Sequence, residues 1–229
     1  MRMTEQAARR LANAVRHWLN FQALCGREAL FGESYLAQPV GEFLMANHRG
    51  RIASEWTVPD LRSKAPGRPR QVDYALLSPE TGRLVGAIEV KWVRPGAPSP
   101  KQRIVDDLLR LERLRDPHEQ HAVRYLLVAG DGSAFDDGFL NVMARSGRRN
   151  RKFLRPLLSA STKRYKRVDV EQADEPWQGY FHKFATTYGV DIPKAFRTKL
   201  ITLSKGGSTR VAVWRVASNS NRATFEPDD

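Results

Sequence analysis

Apolar residues recur along this chain at two periods, and the alternation between them sketches the fold. Near the N-terminus Leu11, Val15, Trp18, Leu19 and Gln22 fall at three- and four-residue spacing, which predicts one packed face on a helix from Glu5 to Leu24. Thr4 is placed to cap its start and Gly26 to end it. A second helical period runs from Glu33 to Asn47, with Tyr35, Leu36, Val40, Phe43 and Leu44 on its apolar side. Pro39 lies inside this segment and is expected to kink or divide it. Strand-like segments follow at Arg51 to Val58, Val72 to Leu77 and Leu84 to Val93. The last two are joined by Ser78-Pro79-Glu80-Thr81-Gly82-Arg83, a connector suited to a hairpin. Residues 61–70 and 94–100 read as loops rich in Pro, Gly and basic residues.

Helical spacing returns from Lys101 to Arg115, where Ile104, Val105, Leu108, Leu111 and Leu114 share a face that Pro117 closes. Ala122 to Ala129 has the unbroken apolar character of a buried strand, ended by Gly130-Asp131-Gly132. A helix from Asp136 to Arg145 comes next. Beyond it the pattern is less regular. Trp177, Tyr180, Phe181 and Phe184 cluster, and Leu200 to Leu203 with Arg210 to Val216 predicts a hairpin turning at Lys205-Gly206-Gly207. The polar tail from Ser218 is expected to be disordered.

Charge changes the picture more than length does. The 229 residues, 41% hydrophobic, suffice for a real core. Their formal charge of +13 points to polyanionic partners, and Arg outnumbers Lys. Guanidinium groups fork onto phosphate oxygens, which tilts the expectation toward nucleic acid. The single cysteine, Cys25, excludes an internal disulfide and a cysteine-based zinc cluster, and is expected to be a small core residue. No apolar run approaches the roughly eighteen residues a membrane helix needs. Glu5, Arg9, Arg10 and Arg16 interrupt any signal-peptide core, so a reducing, cytoplasmic setting without a membrane partner is expected. His17, His48, His118, His121 and His182 lack metal-ligand spacing.

The chemistry-bearing feature is Val72-Asp73-Tyr74 followed by Ile88-Glu89-Val90-Lys91-Trp92. Strand side chains alternate, so Glu89 and Lys91 share one face, opposite Ile88, Val90 and Trp92. A hairpin register pairing Asp73 with Glu89 also pairs Ala75 with Ala87 and Leu77 with Val85. It would bring the two carboxylates to roughly 5 Å. That spacing suits a shared hard cation, Mg²⁺ or Mn²⁺. The same stretch also reads as a plain amphipathic strand with its charges in water. Small and apolar residues on the charged face, the independently placed Asp73 and the mutual repulsion of two carboxylates favour the site.

These residues resemble the PD-(D/E)xK nuclease superfamily, with its restriction-endonuclease-like fold. The resemblance runs from Glu33 to Ala129: a helix, three strands carrying the motif, a helix and a strand. Val72 stands where the name-giving Pro would be. The resemblance implies an α/β (α+β) chain with a central mixed sheet flanked by helices and a basic C-terminal extension. The division would be an N-terminal helix (1–30), the core (31–145), a basic and aromatic region with a hairpin (146–217) and a tail (218–229).

It implies Asp73, Glu89 and Lys91 as catalytic residues. Asp73 and Glu89 would bind the metal, joined by the Val90 carbonyl and by an acidic residue, Glu33 in preference to Glu55. Lys91 would position or deprotonate the attacking water. Lys101 and Gln102, opening the next helix, are candidate phosphate contacts. So are Arg148, Arg149, Arg151, Lys152, Lys163 and Arg164 in the basic stretch from Arg145 to Arg167. Trp177, Tyr180 and Phe181 could stack on bases or form core.

The expected activity is metal-dependent phosphodiester hydrolysis, on DNA in preference to RNA. A homodimer is compatible with cutting two strands. The alternatives are a non-catalytic nucleic-acid-binding protein on the same fold and a basic interaction subunit of a larger complex.

Overall fold

A computed structural model of the chain describes residues 3–58, 61, 71–94, 101–114, 122–145, 155–218 and 224–225. The helical period near the N-terminus becomes α1 (Glu5–Leu24), with Thr4 Oγ1 accepting the Ala7 N–H at 3.1 Å. Gly26 follows it at φ +71°, a left-handed conformation that favours glycine at a helix end. Helix α2 (Glu33–Asn47) runs past Pro39 without dividing, contrary to one of the two outcomes expected. Proline removes one N–H from the helix. Here its ring is buried along with Leu36, Val40 and Leu44, and that packing offsets the missing bond.

The strands are β1 (Ile52–Thr57), β2 (Gln71–Leu77), β3 (Leu84–Val93), β4 (Val123–Asp131), β5 (Lys166–Asp169), β6 (Ile192–Pro193), β7 (Ala195–Gly206), β8 (Thr209–Ser218) and β9 (Thr224–Phe225). Seven of them form one mixed sheet in the order β1-β2-β3-β4-β8-β7-β5, while β6 pairs with β9. Among the described residues only β3 and β4 run parallel, connected by the segment that holds α3 (Lys101–Arg113). The chain is therefore α+β, with helices on both faces of a mixed sheet.

The region 146–217, read from the sequence as lying beside the core, supplies three of these seven strands, and β8 lies directly against β4. The β7–β8 hairpin is longer than expected: β7 extends through Gly206 and the turn falls at Gly207–Ser208. Gly207, at φ +61°, accommodates it. The Arg145-ended helix is also revised. A π-wound segment, Ala134–Leu140, leads into the single turn α4 (Asn141–Met143).

Strand alternation sorts the side chains into two layers. Tyr74, Leu76, Ile88, Val90, Tyr125 and Leu127 pack with α1 and α2. Ala75, Ala87, Leu126, Val128 and Trp214 pack with α3, the π segment and α5 (Glu175–Tyr188). Trp177 and Phe181 are fully buried in this second layer and Phe184 nearly so, which makes the aromatic cluster core and removes these rings as stacking surfaces. Cys25 is exposed, against expectation. It caps the end of α1, past the buried stripe of Leu11, Val15, Leu19 and Gln22. No helix among the described residues is long and apolar enough to cross a membrane. Residues 219–223 and 226–229 of the tail lie outside the described residues, whereas Thr224–Phe225 is paired.

Trp214 ties the sheet to both of its neighbours in this layer. It is fully buried, meets Phe139 edge-on at 5.9 Å and donates its indole N–H to Ser159 O at 2.8 Å. Trp214→Ala is expected to lower unfolding free energy by about 3–5 kcal/mol in denaturant titration.

Candidate functional site: a buried carboxylate cluster

The β2–β3 hairpin places the motif. Ala75 pairs with Ala87 as the expected register requires. At the turn end the register shifts, so Leu77 faces Leu84 instead of Val85. The connector closes there through Ser78 N–H to Arg83 O at 2.7 Å, and the extra residue is absorbed as a bulge. At the other end the regular ladder stops at Tyr74 opposite Ile88. Asp73 comes next, and its Oδ2 accepts the Val90 N–H at 2.7 Å. A carboxylate thus takes a backbone donor that a sheet carbonyl would otherwise fill. A strand residue's N–H and C=O face the same neighbour, so the Val90 carbonyl also lies on the Asp73 side.

Glu89 and Lys91 point into the layer covered by α3, as the alternation predicts, and both are buried. Glu89 Oε1 accepts from Arg110 Nε at 2.9 Å. Arg110 Nη2 in turn donates to Asp107 Oδ1. Lys91 Nζ stands 3.4 Å from Asp107 Oδ2 and donates to Glu33 Oε1 at 2.7 Å. One chain of contacts therefore runs Glu33–Lys91–Asp107–Arg110–Glu89, with Asp73 attached through the Val90 amide. Four carboxylates face two cations, a formal excess of two negative charges in a largely buried place.

The electrostatics follow from burial first and from the neighbouring charges second. Burial, then Asp107, push the Glu89 carboxyl well above the usual carboxylate range, against the pull of Arg110. Burial lifts Asp107 to about 6, with Arg110 and Lys91 opposing. Burial alone would depress the Lys91 ammonium. Asp107 and Glu33 outweigh it, so Lys91 is held above the ordinary lysine value and stays charged at neutral pH. Asp107 Oδ2 is buried and has no hydrogen-bond donor.

Glu33, at the first turn of α2, reaches the cluster. Glu55 is exposed on β1, between Ser54, which pairs with Tyr74, and Trp56, which pairs with Val72, and has φ +49°. A left-handed conformation there costs a non-glycine residue about 1–2 kcal/mol, so the strand beside the motif is locally strained. Lys101 and Gln102 are part-exposed at the start of α3, and Gln102 Oε1 faces Lys183 Nζ of α5 at 3.5 Å rather than the cluster. Lys163 and Arg164 are exposed on a turn before β5, where Ser161 Oγ accepts both their N–H groups at 3.2 Å. Arg148, Arg149, Arg151 and Lys152 lie outside the described residues.

In the sequence Asp107 and Arg110 follow Lys101 and Gln102 on the helix after the motif, where the resemblance implies cleft-lining polar residues and the helical period alone implies a solvated face. The signal that marks Asp107 is its position. It lies three residues after Ile104 and four before Leu111, inside the apolar stripe of α3, where a charged residue needs a partner. Arg110, at i+3, is that partner.

Among the described residues no group of three or more His, Cys, Asp or Glu is arranged to hold a metal ion. The donor chemistry nevertheless suits a hard cation: carboxylate oxygens on two neighbouring strands, an Asp107 Oδ2 that accepts no hydrogen bond and faces only the Lys91 ammonium at 3.4 Å, and a formal excess of carboxylates. Comparison with family models, with curated proteins and with solved structures finds no match.

Two outcomes test this electrostatic reading. Arg110→Ala leaves Glu89 and Asp107 buried without their guanidinium and should cost about 3–5 kcal/mol in metal-free buffer. Denaturant titration measures it, and added Mg²⁺ should recover more stability for the variant than for wild type. Asp107 binds its proton more tightly folded than unfolded, so its contribution to stability falls as pH rises from the ordinary carboxylate value to about 6. Asp107→Asn removes that slope. The melting temperature of the variant relative to wild type should therefore climb across this window and flatten above it.

Proposed function

We propose that this protein is a metal-dependent nuclease that hydrolyses phosphodiester bonds, in DNA in preference to RNA. One observation carries the reading: two strand carboxylates and an ammonium lie in a single buried cluster with excess negative charge, inside a chain of formal charge +13. Asp73 and Glu89 would hold Mg²⁺ or Mn²⁺, with the Val90 carbonyl and Glu33 as further candidates. When bound, the ion would supply an acidified water and a polarised phosphoryl oxygen. Lys91, kept protonated by Asp107 and Glu33, is suited to stabilising negative charge that develops on the phosphoryl group, not to removing a proton. Asp107 positions both cations. The basic surface residues supply phosphate affinity without sequence information. A homodimer that cuts both strands accords with this reading and is tested by light scattering.

One observation favours a second reading. Glu89 is already paired with Arg110, as expected of a cluster neutralised by the chain's own cation. On that reading the protein binds nucleic acid without cutting it.

Cleavage of plasmid, single-stranded DNA and RNA with Mg²⁺ or Mn²⁺ separates the two. Wild type should cut, and Asp73→Asn, Glu89→Gln and Lys91→Ala should each lose about 10²–10³-fold in rate while retaining binding. Binding without metal-dependent cleavage in wild type would establish the second reading instead. Equal cleavage by wild type and all three variants would assign the activity to a contaminant.

A further inference from the structure

A cavity of about 340 Å³ lies at the far edge of the sheet, between β5 and the start of α5. Its walls include Arg155, Lys166, Arg167, Asp169, Gln172 and Leu157, and Trp177 belongs to its lining. Arg167 is paired with Asp169 at 3.1 Å. The other two cations are not neutralised in this way. Arg155 Nη1 donates only to the neutral Gln172 carbonyl, at 3.3 Å, while its backbone N–H goes to the Asp174 carboxylate. Among the described residues no carboxylate pairs with Lys166. Partial burial and the Arg155 charge push the Lys166 ammonium below the ordinary lysine value. Three cations, Arg155, Lys166 and Arg167, thus line one cavity against a single lining carboxylate, Asp169, which Arg167 already engages. The surplus of positive charge attracts an anion.

We propose that this cavity is a phosphate site, gripped by Lys166 and Arg155, that holds a nucleic-acid strand at a distance from the carboxylate cluster. The choice of a nucleic-acid strand as the source of the phosphate rests on the nuclease reading; the anion site itself does not. Leu157, Val168 and Trp177 belong to the same core layer as α3, so the cavity lies on the face of the sheet that carries Glu89 and Lys91. Helix α5 links the two places: Trp177 is at the cavity, and Lys183 on the same helix meets Gln102 in the first turn of α3. Sheet order puts β5 four strands from β3, roughly 19 Å at the usual spacing. At about 3.4 Å per nucleotide along one strand of a duplex, that span corresponds to about five or six nucleotides. The cavity is placed to hold the backbone, not the bond to be cut.

The span makes the test length-dependent. Full-length wild type, Lys166→Gln and the double variant Lys166→Gln/Arg155→Gln are titrated with labelled DNA of four and twelve nucleotides and with inorganic phosphate, their folding checked by melting. For the 12-mer, the double variant should bind about tenfold more weakly at moderate salt, and its log K against log salt slope should shrink by about 0.7 per lost contact. The 4-mer, too short to span both places, should lose far less than the 12-mer. Mn²⁺ affinity, which reports on the carboxylate cluster, should be unchanged. Unaltered 12-mer affinity and slope in folded variants would overturn the proposal and leave the nuclease reading standing. Saturable phosphate binding lost in the variants, with no oligonucleotide binding by wild type, would uphold an anion site but overturn the nucleic-acid strand as its occupant, and the nuclease reading with it.

Discussion

A buried surplus of negative charge at one end of β3 is the constraint on which the rest of this structure turns. Carboxylates taken out of water need partners, and here the partners come from three separate elements. Arg110 and Asp107 arrive on α3, Glu33 on α2 and Asp73 on β2. Each of those elements is fixed by apolar packing on one or other face of the sheet. The sheet therefore does more than support the cluster. By alternating Ile88 and Val90 toward α1 and α2, it commits Glu89 and Lys91 to the opposite layer, under α3.

The protein as a whole is strongly basic, yet its innermost charged group is acidic. The two are complementary. A positive exterior attracts a phosphate chain over long range, whereas an acidic recess repels it and attracts cations. On the nuclease reading, polyanion and cation would meet where the two fields adjoin. Lys91 is salt-bridged to acids of the recess and still charged.

Much of the fold was legible where one physical signal dominated. The bounds of α1, α2 and β3 followed from periodicity, capping and an unbroken apolar run. Strand alternation put Glu89 and Lys91 on one face, whereas Asp73 joins them through the Val90 N–H and not through the expected pairing with Glu89. The C-terminal third was harder to read because its strands carry Arg197, Lys199, Arg210 and Arg215 among their apolar residues, and because β8 pairs with a strand far away in sequence. Helix α5 was hidden for a related reason. Its aromatic residues suggest function as readily as core until the neighbouring layer is known. Asp107 and Arg110 were open to two readings, cleft-lining or solvated, and only the packing of α3 turns them toward β3.

The sheet order has a consequence for how the chain is made. Strand β4 is flanked by β3, which precedes it, and by β8, which is synthesised long after it. Helix α1, made before any of these strands, packs against β7 and β8 and so waits for them as well. During translation the front half carries all six cluster residues while β4 still presents an open row of backbone donors and acceptors. A product ending before Thr209 keeps the whole charged cluster in its sequence and leaves that edge uncovered, a template for association with other chains. Closure by β8 thus sets apart chains that have reached it from shorter ones that bear the same residues.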